Sequence, residues 1–228
     1  MATLLQELLS LAAAGMMLVT TPLNTAAPHN DVDGLLFLVN RQWKVSKVYR
    51  PSLQKANVLG QLSMRPDAAE ALEEMFAACE AETGVKLKAV SGFRSYEKQA
   101  TLYSNKLKNV GNKQAKADEY VARAGASEHQ LGLAMDVGQS GKVNLTAGFG
   151  NTEGGKWIRE HCWEYGFILR YDEEWEDVTG YKYEPWHVRY VGKENAAKIY
   201  EDLMPLETWL ILTRTETLMD LVILPDGN

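Results

Sequence analysis

Residue types that hold hydrolytic metals fall in two short segments of this chain. Ser127-Glu128-His129-Gln130-Leu131-Gly132-Leu133-Ala134-Met135-Asp136 carries a histidine and a carboxylate, and Glu184-Pro185-Trp186-His187 carries another histidine with a carboxylate beside it. Two neutral imidazoles and one carboxylate suit Zn(II), leave the dication with a net positive charge, and keep one coordination position open for water. A carboxylate that is not a ligand can take the proton of that water and pass it to a leaving amine. An arginine nearby can bind a developing oxyanion or an anionic substrate terminus. Arg94 stands where such groups sit, at a turn between a strand and a helix. The pattern reads as that of a zinc hydrolase.

Position decides whether these groups can meet. His129 and Asp136 are seven residues apart. That separation points them to opposite faces of an unbroken strand, or puts them about 10 Å apart along an unbroken helix. Gly132 between them supplies a turn, so His129 is expected on a loop and Asp136 on the strand that follows. Pro185 restrains Glu184 to an extended backbone. Each piece alone has a bland reading. A lone histidine is more often a surface or core residue than a ligand, Glu184 could be a loop charge, and Arg94 could pair with Glu97 or Glu128. Asp136 lies within an apolar strand and needs a partner there. His161, on an apolar helical stripe, reads as core, and His29, in a polar linker, as solvated.

Elements that would position the site follow from periodicity. Asp67 to Thr83 carries Ala68, Leu72, Met75, Phe76 and Cys79 on one helical face, with Pro66 near its start and Gly84 past its end. Val85–Val90 alternates as a half-buried strand. Ser95 is the expected N-cap of a helix running to about Lys108, and a polar helix is expected from Gln114 to Arg123. Further strands are expected at Leu35–Asn40, Leu133–Val137, Phe167–Tyr171 and His187–Val191, and further helices at Gly155–Tyr165 and Glu194–Leu203. Strands interspersed with helices, without a regular βαβ period, predict an α+β fold: a small, mostly antiparallel sheet flanked by helices. Apolar residues of the final stretch, Leu210, Ile211, Leu212, Leu218, Leu221, Val222 and Ile223 among them, want a partner surface that periodicity does not identify.

The 228 residues, 46% hydrophobic and 24% charged, allow one domain whose core holds a site rigidly without disulfides. A net charge of -6 argues against nucleic acid as a partner. Cys79 and Cys162 are expected as buried free thiols. Leu8 to Val19 is an apolar run followed by small residues, read as a signal or anchor, the alternative being an amphipathic helix packed on the domain. The expected organisation is an N-terminal segment and linker over 1–34, a peptidase domain over 35–210 and a tail over 211–228.

Ser127-x-His129-x-x-Gly132-x-Ala134-x-Asp136 and Glu184-x-x-His187 resemble the two zinc motifs of the LAS metallopeptidases. The wording SGFRSYEKQ from Ser91, SEHQLGLAMDV from Ser127 and YEPWHVRYVG from Tyr183 is similar to that of VanY-type D-alanyl-D-alanine carboxypeptidases, a resemblance covering roughly 36–210. It implies the LAS (hedgehog/DD-peptidase) fold and a zinc carboxypeptidase that trims terminal D-alanine from peptidoglycan stem peptides. It places the enzyme outside the cytoplasmic membrane, attached to that membrane if the N-terminal segment is an anchor; separately from the resemblance, a monomer is expected. It also implies that His129, Asp136 and His187 are the zinc ligands, that Glu184 is the general base, and that Arg94 polarises the scissile carbonyl or holds the substrate carboxylate. Ser127 and Gln99 match pocket-lining positions, and Trp186 is expected to pack or form pocket wall. The chain departs from the family in one respect before the Ser-Glu-His triplet: Arg123-Ala124-Gly125-Ala126 stands where a Pro-Gly pair is frequent. Three rivals remain: an LD-carboxypeptidase acting on tetrapeptides, a non-catalytic zinc-containing cell-wall-binding module, and a non-haem iron oxygenase. Retention of Glu184 argues against the binding module, and the wide spacing of His129 and Asp136 against the oxygenase.

Overall fold

Proline at the first helical position and glycine just past the last bound the longest helix, α1 (Pro66–Thr83), whose C-cap Gly84 adopts φ 74°. The computed structural model describes residues 31–141 and 145–213, so the apolar run Leu8–Val19, His29 and the residues beyond 213 lie outside it. Two short strands, β1 (Gln54–Lys55) and β2 (Ser63–Met64), pair antiparallel ahead of α1. Then follow β3 (Leu87–Ser91), α2 (Tyr96–Asn109), α3 (Gln114–Asp118), β4 (Ala134–Gln139) and α4 (Glu153–His161). The chain continues through β5 (Phe167–Leu169), α5 (Glu176–Thr179), β6 (His187–Tyr190) and α6 (Lys193–Asp202). Residues 206–213 are again helical. The main sheet has order β3-β4-β6-β5 with every neighbour antiparallel, which gives the expected α+β fold.

The apolar stripe of α1 (Leu72, Met75, Phe76, Cys79) packs with Leu87 and Ala89 of β3, Met135 and Val137 of β4, and Trp157 and Ile158 of α4. A second, smaller core joins Ile168, Val191, Ala196 and Ile199 to Leu206, Trp209 and Leu210. That second core is the partner surface for the first part of the apolar C-terminal stretch. Both cysteines are buried and free. Among the described residues no helix is long and apolar enough to cross a membrane.

Three expectations need correction. Leu35–Asn40 forms no strand, because the carbonyls of Leu35 and Phe37 accept from the guanidinium of Arg189, at 2.8 and 3.0 Å, instead of from a sheet neighbour. The polar helix from Gln114 ends at Asp118 rather than Arg123, where the Asp118 carboxylate instead takes both the Tyr103 hydroxyl and the Arg123 guanidinium. His161 is not core. It stacks on Trp157 at the edge of the molecule and bonds to Glu164 at 2.8 Å, because α4 stops there and Cys162 begins a tighter turn.

Candidate active site

Sheet register does most of the assembly. On β4, Asp136 stands opposite Ser91 of β3 on one side and His187 of β6 on the other. The bulge between Ala89 and Ser91 shifts the register there. His129 reaches the same point from a tight turn, Glu128–Leu131, that Gly132 closes with φ 72°. A side chain at Gly132 would suffer both from that backbone and from Leu53, Pro51 and Arg65, which sit 3.1–3.3 Å from where its Cβ would be. Gly125, in the stretch that departs from the family wording, hands its carbonyl to the amide of Val45 at 2.7 Å and so ties down the entry to this turn. Glu184 and His187 close another turn, with the His187 amide donating to the Glu184 carbonyl at 3.0 Å.

One donor atom from each of His129, Asp136 and His187 lies within 4.8 Å of the others, and all three residues are buried. Asp136 Oδ1 is 3.3 Å from His129 Nε2 and 3.1 Å from His187 Nδ1. Zinc bonds of about 2.0–2.1 Å at tetrahedral angles span about 3.3 Å between donors, which both spacings from Asp136 match. The remaining ring nitrogens are engaged away from this point. His129 Nδ1 is 2.8 Å from the Gly92 carbonyl, and His187 Nε2 is 3.3 Å from Glu128 Oε2. With a metal bound, each ring would carry its proton on the outer nitrogen and turn the inner one to the ion. Burial, then the charge of Arg94, lowers the pKa of His129 and favours its neutral form. Burial would lower His187 too, but the carboxylates of Asp136 and Glu128 outweigh it and raise that group to about 9 in the metal-free protein.

Glu184 projects beside this set. Its Oε2 is 3.9 Å from His187 Nδ1, too far for a hydrogen bond. Burial pushes its carboxyl up to about 8 against the pull of His187, while the Asp136 charge adds to the rise and Arg94 opposes it. A dication at the metal position would bring it back toward the carboxylate range. Arg94 sits at the rim of the set, and its partner is Asp136 (3.4 Å), not Glu97, which pairs with Arg50, nor Glu128. The correction arises because the turn after β3 aims Arg94 inward along the sheet while Glu97 faces out on the first turn of α2. Arg94 also donates to Gln99 Oε1 at 2.8 Å and to Ser91 Oγ at 2.7 Å. The Gln99 amide nitrogen in turn donates to the Ala122 carbonyl at 2.5 Å, so both ends of that buried amide serve to hold Arg94.

These groups line one cleft of about 260 Å³, walled by Ser127, Trp186, Tyr171, Tyr181 and Tyr120. Glu128 is the residue that sequence reasoning undervalued. It is fully buried, and Arg170 and Arg189 each donate to its Oε1, at 2.8 and 2.9 Å. Burial would raise its pKa, but the two guanidiniums hold it well below the usual carboxylate range. Its position one residue before a candidate ligand was the available signal.

Comparison with known proteins gives this geometry a context. Residues 61–193 match the family model for D-alanyl-D-alanine carboxypeptidase, VanY. A putative carboxypeptidase, YodJ, of Bacillus subtilis (strain 168) is 41% identical over 186 residues, covering 78% of this chain and 67% of the relative. A D-alanyl-D-alanine carboxypeptidase of Enterococcus faecalis (strain ATCC 700802 / V583) is 38% identical over 182 residues, covering 77% of this chain and 65% of the relative. Among solved structures, the LdcB LD-carboxypeptidase superposes with a TM-score of 0.72 at 41% identity, covering 78% of this chain and 86% of that one. A variant of the VanY D,D-pentapeptidase from a VanB-type resistance cassette, in complex with Zn(II), gives 0.68 at 35% identity, covering 77% and 98%.

Proposed function

The chain belongs to the VanY family of D-alanyl-D-alanine carboxypeptidases, which makes it a zinc metallo-carboxypeptidase, and on that premise we propose that it removes the terminal D-alanine of peptidoglycan stem peptides outside the cytoplasmic membrane. The observation that carries the reading is the convergence of two imidazoles and a carboxylate within 4.8 Å, with Glu184 beside them and free of any hydrogen bond to His187. A closed structural zinc site has no use for such a neighbour, which argues against a binding module.

His129 Nε2, His187 Nδ1 and Asp136 would hold the zinc, which when bound polarises the scissile carbonyl and acidifies the attacking water. Glu184 takes the proton of that water and returns it to the departing amine of D-alanine. Arg94 is the cation on the rim: its guanidinium meets the developing oxyanion or the substrate carboxylate. Gln99 and Ser91 fix its direction from behind, so Gln99, which also lines the cleft, acts as a positioning residue for Arg94. Ser127 and Trp186 form cleft wall. The cleft, about 260 Å³, lies below the roughly 300–1,000 Å³ of drug-sized sites and suits the end of a peptide.

A second reading is LD-carboxypeptidase activity on tetrapeptides, favoured by the similarity to LdcB. The two differ in the chirality of the residue before the cut, hence in how the cleft wall meets its side chain. Mass spectrometry of the zinc-loaded protein with matched stem peptides, one ending in D-Ala-D-Ala and one in a single D-Ala, separates them. Chelator-sensitive loss of one alanine from the pentapeptide is the expected result. Loss from the tetrapeptide alone establishes the LD reading, and loss from neither refutes both.

A further inference from the structure

Glu128 is the junction of a buried chain of charges that the catalytic steps do not use. Its Oε1 accepts from Arg170 Nε at 2.8 Å and from Arg189 at 2.9 Å, leaving Oε2 to His187 Nε2 at 3.3 Å. Arg170 then spends its two terminal nitrogens on Glu207, at 2.9 and 2.6 Å. Glu207 lies on the helical segment 206–213, beyond the 61–193 of the family match. Leu206, Trp209 and Leu210 of that segment are buried in the second core and fix where Glu207 stands. Arg170 and Arg189 are both fully buried. Such pairs commonly add little stability over apolar side chains of equal volume, so their presence asks for another reason.

We propose that Glu207 is a positioning residue for the metal centre, acting through Arg170 and Glu128 on the ring of His187. His187 must present Nδ1 to the metal position, and beside its packing on the rings of His129 and Tyr171 the acceptor held at Nε2 fixes which nitrogen faces inward. Glu207 occupies the forked edge of Arg170, so Arg170 offers Glu128 a single Nε–H and takes only Oε1. Without Glu207 the same guanidinium, buried and unpaired, turns its two-pronged edge on Glu128, engages both oxygens and removes the acceptor of His187. The C-terminal segment thereby becomes part of the metal site without touching it. This inference rests on His187 being a zinc ligand.

The test is the zinc affinity of the full chain, read by competition with a chromophoric chelator, in the wild type, Glu207→Gln, Arg170→Lys and Ile199→Val. Glu207→Gln is expected to weaken zinc binding on the order of 10-fold, within the range known for residues behind metal-bound histidines, and to lower kcat with little change in KM. Arg170→Lys cannot span both carboxylates and is expected to weaken zinc binding similarly, which keeps the test open if Glu207→Gln does not fold. Ile199→Val loosens the same small core away from the relay and should lower Tm while leaving zinc affinity unchanged. In the zinc-loaded wild type, nitrogen NMR should find His187 protonated at Nε2, and in Glu207→Gln that proton should exchange faster. Zinc affinity within twofold of wild type in Glu207→Gln and Arg170→Lys, with only Tm reduced, overturns the relay. A wild type that binds no zinc refutes the metal reading and the relay with it.

Discussion

Replacing Glu184 by glutamine separates catalysis from metal binding. The Glu184 carboxylate is 3.9 Å from His187 Nδ1, while the three donors of the metal set are bridged by Asp136 at 3.1 and 3.3 Å. An isosteric amide therefore leaves the donors in place and removes only the ability to accept and return a proton. General acid–base assistance is worth about 10²–10⁴-fold. In the proposed mechanism Glu184 serves both proton transfers, so a loss of about 10³–10⁴ in kcat is expected, or about 4–5.5 kcal/mol in the barrier. KM should move little, because Arg94 and the cleft wall remain. The assay is alanine release from the preferred stem peptide, with zinc content and affinity measured on the same preparation. Activity within tenfold of wild type, or zinc lost in step with activity, would refute the assignment of Glu184 as the base.

Other perturbations probe the scaffold around that chemistry. Gly132→Ala forces a methyl into a left-handed backbone position beside Leu53, Pro51 and Arg65, and should cost about 1–2 kcal/mol in denaturant unfolding, with weakened zinc binding because His129 shares the turn. Arg94→Lys keeps the charge but loses the fork that spans Gln99, Ser91 and Asp136, and kcat/KM for the stem peptide should fall about 10²-fold with zinc content retained. The Asp118 carboxyl is held below its ordinary pKa, chiefly by hydrogen bonds from Arg123. A depressed carboxylate stabilises above its unfolded pKa and loses that contribution as pH falls through the folded value. Asp118→Asn should therefore cost about 1 kcal/mol at pH 7, a modest figure because Arg123 is 40% exposed, and the gap from wild type should close in acid below about pH 4, as followed by thermal unfolding.

Local signals were the ones legible in the sequence. Pro66 and Gly84 bound α1, Ser95 caps α2 by accepting from the Lys98 amide at 3.3 Å, and Gly132 makes the turn that lets His129 and Asp136 meet. The Asp136 carboxylate, suspect within an apolar strand, has its partners in Arg94, His129 and His187. What the sequence withheld depends on long-range contacts. The apolar run Leu35–Asn40 has strand composition, yet its carbonyls are claimed by Arg189, about 150 positions away along the chain. Arg94 finds Asp136 across the sheet rather than the nearer Glu97, and Glu128 finds two arginines on or beside neighbouring strands. The turn of polar residues after Asp118 has helical composition, but side-chain bonds to its carboxylate outcompete a further helical turn. The partner of Trp209 and Leu210 was invisible because the small core they complete is built from β5, α6 and the residue after β6.

The central claim, that His129 Nε2, Asp136 and His187 Nδ1 hold one catalytic zinc, is tested most directly by a crystal structure of the zinc-loaded protein with anomalous data at the zinc edge. The account predicts one zinc per chain bonded to those three atoms, with the outer nitrogens of the two rings still facing Gly92 and Glu128 and Glu184 outside bonding distance. Zinc bound elsewhere, a His187 ring turned to offer Nε2, or Glu184 bonded to the ion in place of Asp136 would contradict it.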